Sequence, residues 1–119
     1  MVVDTLPEQA FVQGCPTRVV LDHVMSRWAP LLLAALTDGE PQRWSALRRR
    51  APGISEKMLA QTLRQLEADG FVRRDARPVV PPHVDYSLTP LGTDLVAHLV
   101  PLLAWIADHA DAVVDRSAT

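Results

Sequence analysis

The chain has 119 residues, nearly half of them apolar, enough to bury one core and too few for two independent ones; no run of about twenty apolar residues spans a bilayer, and Met1-Val2-Val3-Asp4 lacks a basic-then-apolar secretion layout. The one cysteine, Cys15, excludes an internal disulfide framework and a cysteine-based zinc knuckle, and leaves a buried thiol, a reactive thiol or an intermolecular bridge. The net charge of −2 is an average over a bipolar chain: from Arg43 to Arg77 nine basic residues meet four acidic ones, a local +5, while the remainder is −7, so a polyanion is drawn to the middle and repelled by the ends.

Residues 1–16 show no strong period and contain Pro7, Gly14 and Pro16, which predicts an arm. From Thr17, a plausible cap, Val20, Leu21, Val24, Met25 and Trp28 recur at helical spacing. Pro30 then opens a second helix whose run 31–36 reads as almost wholly buried, and Asp38-Gly39-Glu40-Pro41 ends it. Residues 44–51 predict a short helix with Trp44 and Leu47 inward and Arg48, Arg49 and Arg50 at its end, stopped by Pro52-Gly53. Ser55 caps the next helix, whose inward stripe is Met58, Leu59, Leu63 and Leu66; the other face carries Lys57, Gln61, Thr62, Arg64 and Gln65. Two helices about a Pro-Gly turn, the second with a polar outer face, have the helix-turn-helix layout.

Strands follow at Phe71-Val72-Arg73-Arg74-Asp75 and Val84-Asp85-Tyr86-Ser87-Leu88, joined by a segment whose Pro78, Pro81 and Pro82 exclude regular sheet. That is a wing. Thr89-Pro90 starts a last helix with an apolar stripe through Leu91, Leu95, Leu99, Leu102, Ile106, Ala110 and Val113, more than a small domain can cover alone, and Pro101 is expected to bend it. The fold class is therefore mainly α with a small β-wing, a winged helix-turn-helix dimerising through terminal helices: an arm at 1–16, the DNA-binding domain at 17–92, and a dimerisation helix and tail at 93–119.

Cys15-Pro16, Trp28, Trp44-Ser45-Ala46-Leu47-Arg48-Arg49, Pro52-Gly53-Ile54-Ser55, Met58-Leu59, Leu63-Arg64-Gln65-Leu66-Glu67-Ala68-Asp69-Gly70 and the run Val80-Pro81-Pro82-His83-Val84-Asp85-Tyr86-Ser87-Leu88-Thr89-Pro90-Leu91-Gly92 stand in this order. Together they resemble the HxlR-type winged helix-turn-helix regulators of bacteria over roughly two-thirds of the chain. The resemblance implies a dimeric repressor or activator, and in some members an N-terminal cysteine senses oxidants or electrophiles; with neither a span nor a secretion layout, the chain is expected to be cytoplasmic. Trp44 stands where phenylalanine is usual and His83 where the wing often carries arginine.

Arg48, Arg49 and Arg50 suit phosphate neutralisation at the groove edge, against the plainer reading of a solvated helix face. Ser55, Lys57, Gln61 and Arg64 are the candidate base readers, since Arg and Lys pair with guanine and Gln with adenine, with Thr62 and Gln65 at the fringe. On the wing, Arg77 and His83 are the candidate contacts; a neutral histidine weakens a phosphate contact, which shifts that work to Arg77 or makes the wing pH-responsive. Cys15, near Arg18, is the candidate redox sensor, or else a small buried hydrophobe; with no second cysteine, an oxidised form is an intersubunit or mixed disulfide. The candidate dimer interface is Leu95, Leu99, Leu102, Trp105 and Ile106.

His23, His98 and His109 are expected at the surface or an interface: Asp94 and His98 share a helical face, but no third ligand completes a site, so neither metal nor cofactor is expected. No oxyanion-hole or cofactor motif supports a thiol enzyme. The expected function is a sequence-specific regulator, a repressor, binding an inverted-repeat operator in double-stranded DNA as a homodimer, switched by Cys15 or by a small-molecule or electrophile effector, without membrane contact. The alternative is a winged-helix protein-interaction module without DNA binding.

Overall fold

The computed structural model describes residues 8–118, so the first seven residues of the expected arm lie outside the described part. A 3-10 turn at Glu8–Phe11 leads into helix α1, Pro16–Val24. Cys15 caps α1, not Thr17: its backbone is extended and its Sγ accepts the Arg18 N–H at 3.4 Å, while Pro16 fills the first position, where a missing N–H costs nothing. The helix closes at Val24, and Trp28 stands instead at the start of α2, Ala29–Ala35. Leu32 and Leu33 of α2, with Leu36 just after it, are completely buried, as expected of the apolar run 31–36, but Leu31, expected to be buried with them, is exposed on the outer side of the helix.

A two-residue strand, β1 (Gln42–Arg43), precedes α3 (Trp44–Arg50) and was not legible in the sequence. Gly53 then turns the chain at φ +93°, a conformation that costs a residue with a side chain about 1–2 kcal/mol. Helix α4, Glu56–Ala68, starts at Ser55, whose Oγ accepts the Met58 N–H at 3.0 Å. Strands β2 (Val72–Arg77) and β3 (His83–Leu88) complete an antiparallel sheet of order β1-β3-β2. Its register pairs Val72 with Leu88, Arg74 with Tyr86 and Asp75 with Asp85. Strand β1 adds Gln42 opposite Tyr86 and Arg43 opposite Asp85. The core is Leu32, Leu33 and Leu36, Leu47 of α3, Leu59, Leu63 and Leu66 of α4, the sheet residues Val72 and Tyr86, and Val96 and Leu99 of the last helix.

That helix, α5, runs unbroken through Pro101 from Pro90 to Ala118. Thr89 clips it to the domain: its Oγ1 donates to the Gly70 carbonyl at 2.5 Å and accepts the Gly92 N–H at 3.0 Å, and its own N–H donates to the Phe71 carbonyl at 3.1 Å. Thr89→Ala removes a cap and leaves the Gly70 carbonyl short of a donor. It is expected to cost about 1–2 kcal/mol in a urea titration, and Thr89→Ser to recover most of it.

A compact chain of this length has a radius of gyration near ~13–14 Å, whereas this one has 16.3 Å because the far half of α5 projects from the domain. By length and composition α5 is apolar enough to cross a membrane, which corrects the expectation that no segment approaches a span. Val96 and Leu99, however, are buried in the domain core, and Trp105, Ile106, Val113 and Val114 are exposed on the projecting half.

Candidate nucleic-acid interface

Lys57, Gln61 and Arg64 follow one another at four and three residues, so the 3.6-residue period lines them up on one stripe of α4. Leu59, Leu63 and Leu66 anchor the opposite side in the core. All three polar side chains are exposed, and among the described residues none has an ion-pair or hydrogen-bond partner within the subunit. Ser55 begins the same helix; its oxygen is used in the cap, and its hydroxyl proton remains available to an acceptor.

Two residues expected on this surface belong elsewhere. Thr62 is buried and returns its hydroxyl to the Met58 carbonyl at 2.8 Å. Gln65 is half-buried and donates to Asp69 at 3.2 Å. Met58, expected in the core, is exposed instead. One register step on the helix exchanges these roles: Thr62 shares the inward side with Leu59 and Leu66, and Met58 lies on the flank.

The arginine trio divides. Arg48 spans the turn between α3 and α4 to reach Glu56 at 3.3 Å, an exposed pair worth at most about 1 kcal/mol, whereas Arg49 and Arg50 are exposed and unpaired among the described residues. All three stand in the last turn of α3, where a cation also offsets the negative end of the helix dipole.

The wing holds the clearest departure from expectation. Asp75 and Asp85 lie directly opposite each other across β2 and β3, an arrangement of like charges that needs compensation. His83 supplies part of it: Nε2 donates to Asp85 at 2.8 Å, and Nδ1 accepts from the Arg43 guanidinium. Arg77 lies 3.9 Å from both carboxylates. His83 is thus a half-buried strut between two strands, both ring nitrogens occupied, rather than a group offered to DNA. Arg77 is itself exposed and is held only by two long pairs, which leaves it the more available cation.

Sequence separation also hid a tie between α1 and α4. His23, expected at the surface or an interface, donates from Nδ1 to Asp69 at 3.0 Å, and Gln65 donates to the same carboxylate, so the end of α4 is fixed to the end of α1. His109 stacks on Trp105 with ring centroids 4.1 Å apart and bonds the Trp105 carbonyl through Nδ1. Among the described residues no three His, Cys, Asp or Glu side chains converge to hold a metal.

Cys15 is half-buried at the head of α1. The guanidinium of the expected neighbour Arg18 reaches Asp22 at 3.3 Å and the Phe11 carbonyl at 3.4 Å. Of the candidate interface residues, Leu99 is consumed by the subunit's own core and Leu95 is partly buried against it, while Leu102, Trp105 and Ile106 are exposed.

Comparison with known proteins gives this arrangement its context. A model of the HxlR-like helix-turn-helix matches residues 23–114. The uncharacterized HTH-type transcriptional regulator YtfH of Escherichia coli (strain K12) is 56% identical over 96 residues, which is 81% of this chain and 75% of that protein. A solved structure of ytfH from Salmonella typhimurium superposes with a TM-score of 0.84 at 50% identity, covering 92% of this chain and 96% of that one. The redox regulator HypR in its oxidized form gives 0.72 at 37% identity, over 79% and 96%. The matched family and these relatives are transcriptional regulators, not enzymes, and the fold they share is the winged helix. This chain belongs to the HxlR-like helix-turn-helix family of transcriptional regulators.

Proposed function

We propose that the protein is a cytoplasmic repressor that binds an inverted repeat in double-stranded DNA as a homodimer, placing one α4 in each of two major grooves about one helical turn apart. The observation that carries this reading is the Lys57, Gln61 and Arg64 stripe: three long polar side chains without partners among the described residues, on a helix held by the Ser55 cap, the Arg48–Glu56 pair and the His23–Asp69 tie. Arg49 and Arg50 add phosphate contacts at the groove edge, and Arg77 adds one from the wing. The exposed half of α5 supplies the dimer interface through Leu102, Trp105 and Ile106, and a second copy covers an apolar surface that would otherwise face water.

Control of this dimer is assigned to Cys15. Peroxide converts the thiol to a sulfenic acid with release of water, and a second thiol condenses with that acid to a disulfide with release of another water; the partner thiol is the other subunit's Cys15 or a small cellular thiol. The likeness to the redox regulator HypR supports this choice. So does position: Cys15 caps α1, whose exposed Val20, Leu21 and Met25 border Leu95 of α5 in an apolar cleft of about 370 Å³, and that cleft is equally the place for a small apolar effector.

Footprinting on the protein's own upstream region tests the DNA reading. Protection is expected over two half-sites, and the triple change Lys57→Ala, Gln61→Ala and Arg64→Ala is expected to weaken binding at least 100-fold, since each base-reading pair contributes about 1–3 kcal/mol of discrimination. Absence of protection in both redox states would leave a protein-interaction module as the function.

A further inference from the structure

An open cleft of about 350 Å³ separates α4 from the sheet, on the wing side of the base-reading stripe. Its floor is apolar and aromatic, made by Trp44, Leu63 and Tyr86, and its rim carries Arg64, Glu67 and Arg74. Arg74 is out of keeping with its place in the strand. It pairs with buried Tyr86 and shares a face with buried Val72, so it occupies the core-facing side of β2, where an apolar residue is expected. Arg73, one residue earlier, stands on the other face opposite Ser87.

Among the described residues neither Arg64 nor Arg74 has an ion-pair or hydrogen-bond partner, and Glu67 forms no ion pair, so the rim is net +1 with two unengaged guanidinium groups. An apolar floor lowers the local dielectric and strengthens any charge contact made above it. The planar guanidinium fork suits phosphate oxygens in a bidentate contact. When a recognition helix lies in the major groove, the sugar-phosphate strand bordering that groove passes along the helix flank.

We propose that this cleft seats one phosphodiester of the duplex backbone, with Arg74 as its anchoring cation beside the base-reading Arg64 of α4. The proposal rests on the DNA-binding reading above. Contact to a phosphate carries no sequence information, so Arg74 sets how deeply and in what register α4 sits, while Lys57, Gln61 and Arg64 read the bases. Glu67 limits the affinity by repelling the same phosphate.

The test is fluorescence anisotropy with two labelled duplexes, one from the protein's own upstream region and one unrelated, across a salt series, using variants whose melting curves match wild type. Arg74→Ala is expected to weaken both duplexes by a similar factor, on the order of tenfold, and to reduce the slope of log K against log salt by about 0.9, one released counterion. Arg73→Ala, the same charge removed from the opposite face, is expected to stay within twofold of wild type. Arg74→Lys restores the slope, and Glu67→Gln, which keeps the packing and removes the repulsion, tightens both duplexes severalfold. If wild type binds and Arg74→Ala behaves like Arg73→Ala, the clamp is overturned and the DNA reading stands. If wild type binds neither duplex, the DNA reading fails and the clamp fails with it.

Discussion

Ile106→Asp is expected to turn the protein from a dimer of 13.1 kDa subunits into a monomer and, with it, to abolish high-affinity binding to an inverted repeat. Ile106 lies on the projecting half of α5 beside Leu102 and Trp105, all exposed in the isolated subunit. In the proposed homodimer, two-fold symmetry places the substitution in the interface twice, and each copy sets an unpaired carboxylate in apolar surroundings. Even about 2 kcal/mol per site, after partial access to water, weakens association by roughly three orders of magnitude. The subunit itself should keep its fold, because Ile106 contributes nothing to the core that Val96 and Leu99 complete. Sedimentation equilibrium reports the mass and circular dichroism the fold. A variant that remains a dimer would move the interface away from the distal half of α5, and the apolar cleft between α1 and Leu95 would then be the next surface to change.

Gly92→Ala gives the largest stability effect, and its sign separates two physical arguments. Gly92 is in the first turn of α5 with ordinary helical backbone, so propensity alone predicts that alanine stabilises by about 1 kcal/mol. Close packing predicts the reverse. A Cβ at this position would lie 2.1 Å from the Phe71 carbonyl oxygen and 3.0 Å from its carbon. The obstacle is backbone, and it is the carbonyl that accepts the Thr89 N–H, so it cannot rotate away without giving up that bond. Relief requires α5 to lift from the start of β2, which loosens Val96 and Leu99 against the core. The expected cost is about 3 kcal/mol, the upper end for overpacking, and a fall in melting temperature of roughly 10 °C or more. Calorimetry decides it: a stabilised variant would show that α5 does not approach Phe71 this closely.

The elements themselves were legible because their causes are local. Ser55 and Pro52-Gly53 act within one turn of chain, and the spacing of Leu59, Leu63 and Leu66 sets the inward face of α4, and with it the outward stripe of Lys57, Gln61 and Arg64. The wing strands and the apolar α5 follow in the same way. Expectation and structure part where one face grades into another: Thr62 and Met58 exchange places because a few tens of degrees around a helix separate core from flank, and residue type does not decide the angle.

Everything that joins distant residues was left to the tertiary structure. His23 and Asp69 are separated by 46 positions and Arg43 and His83 by 40, and no period relates such pairs. Only the packing of α1 on α4 brings the first pair together, and only the addition of β1 to β3 the second. The same holds along α5, whose stripe reads as continuous. Leu99 goes to the subunit's own core and Ile106 to its exposed end, because the domain is shorter than the helix. By itself the sequence determined the elements, the basic middle of the chain and the family; the packing of those elements decided which of the charged and apolar side chains are already used within the subunit and which remain for a partner.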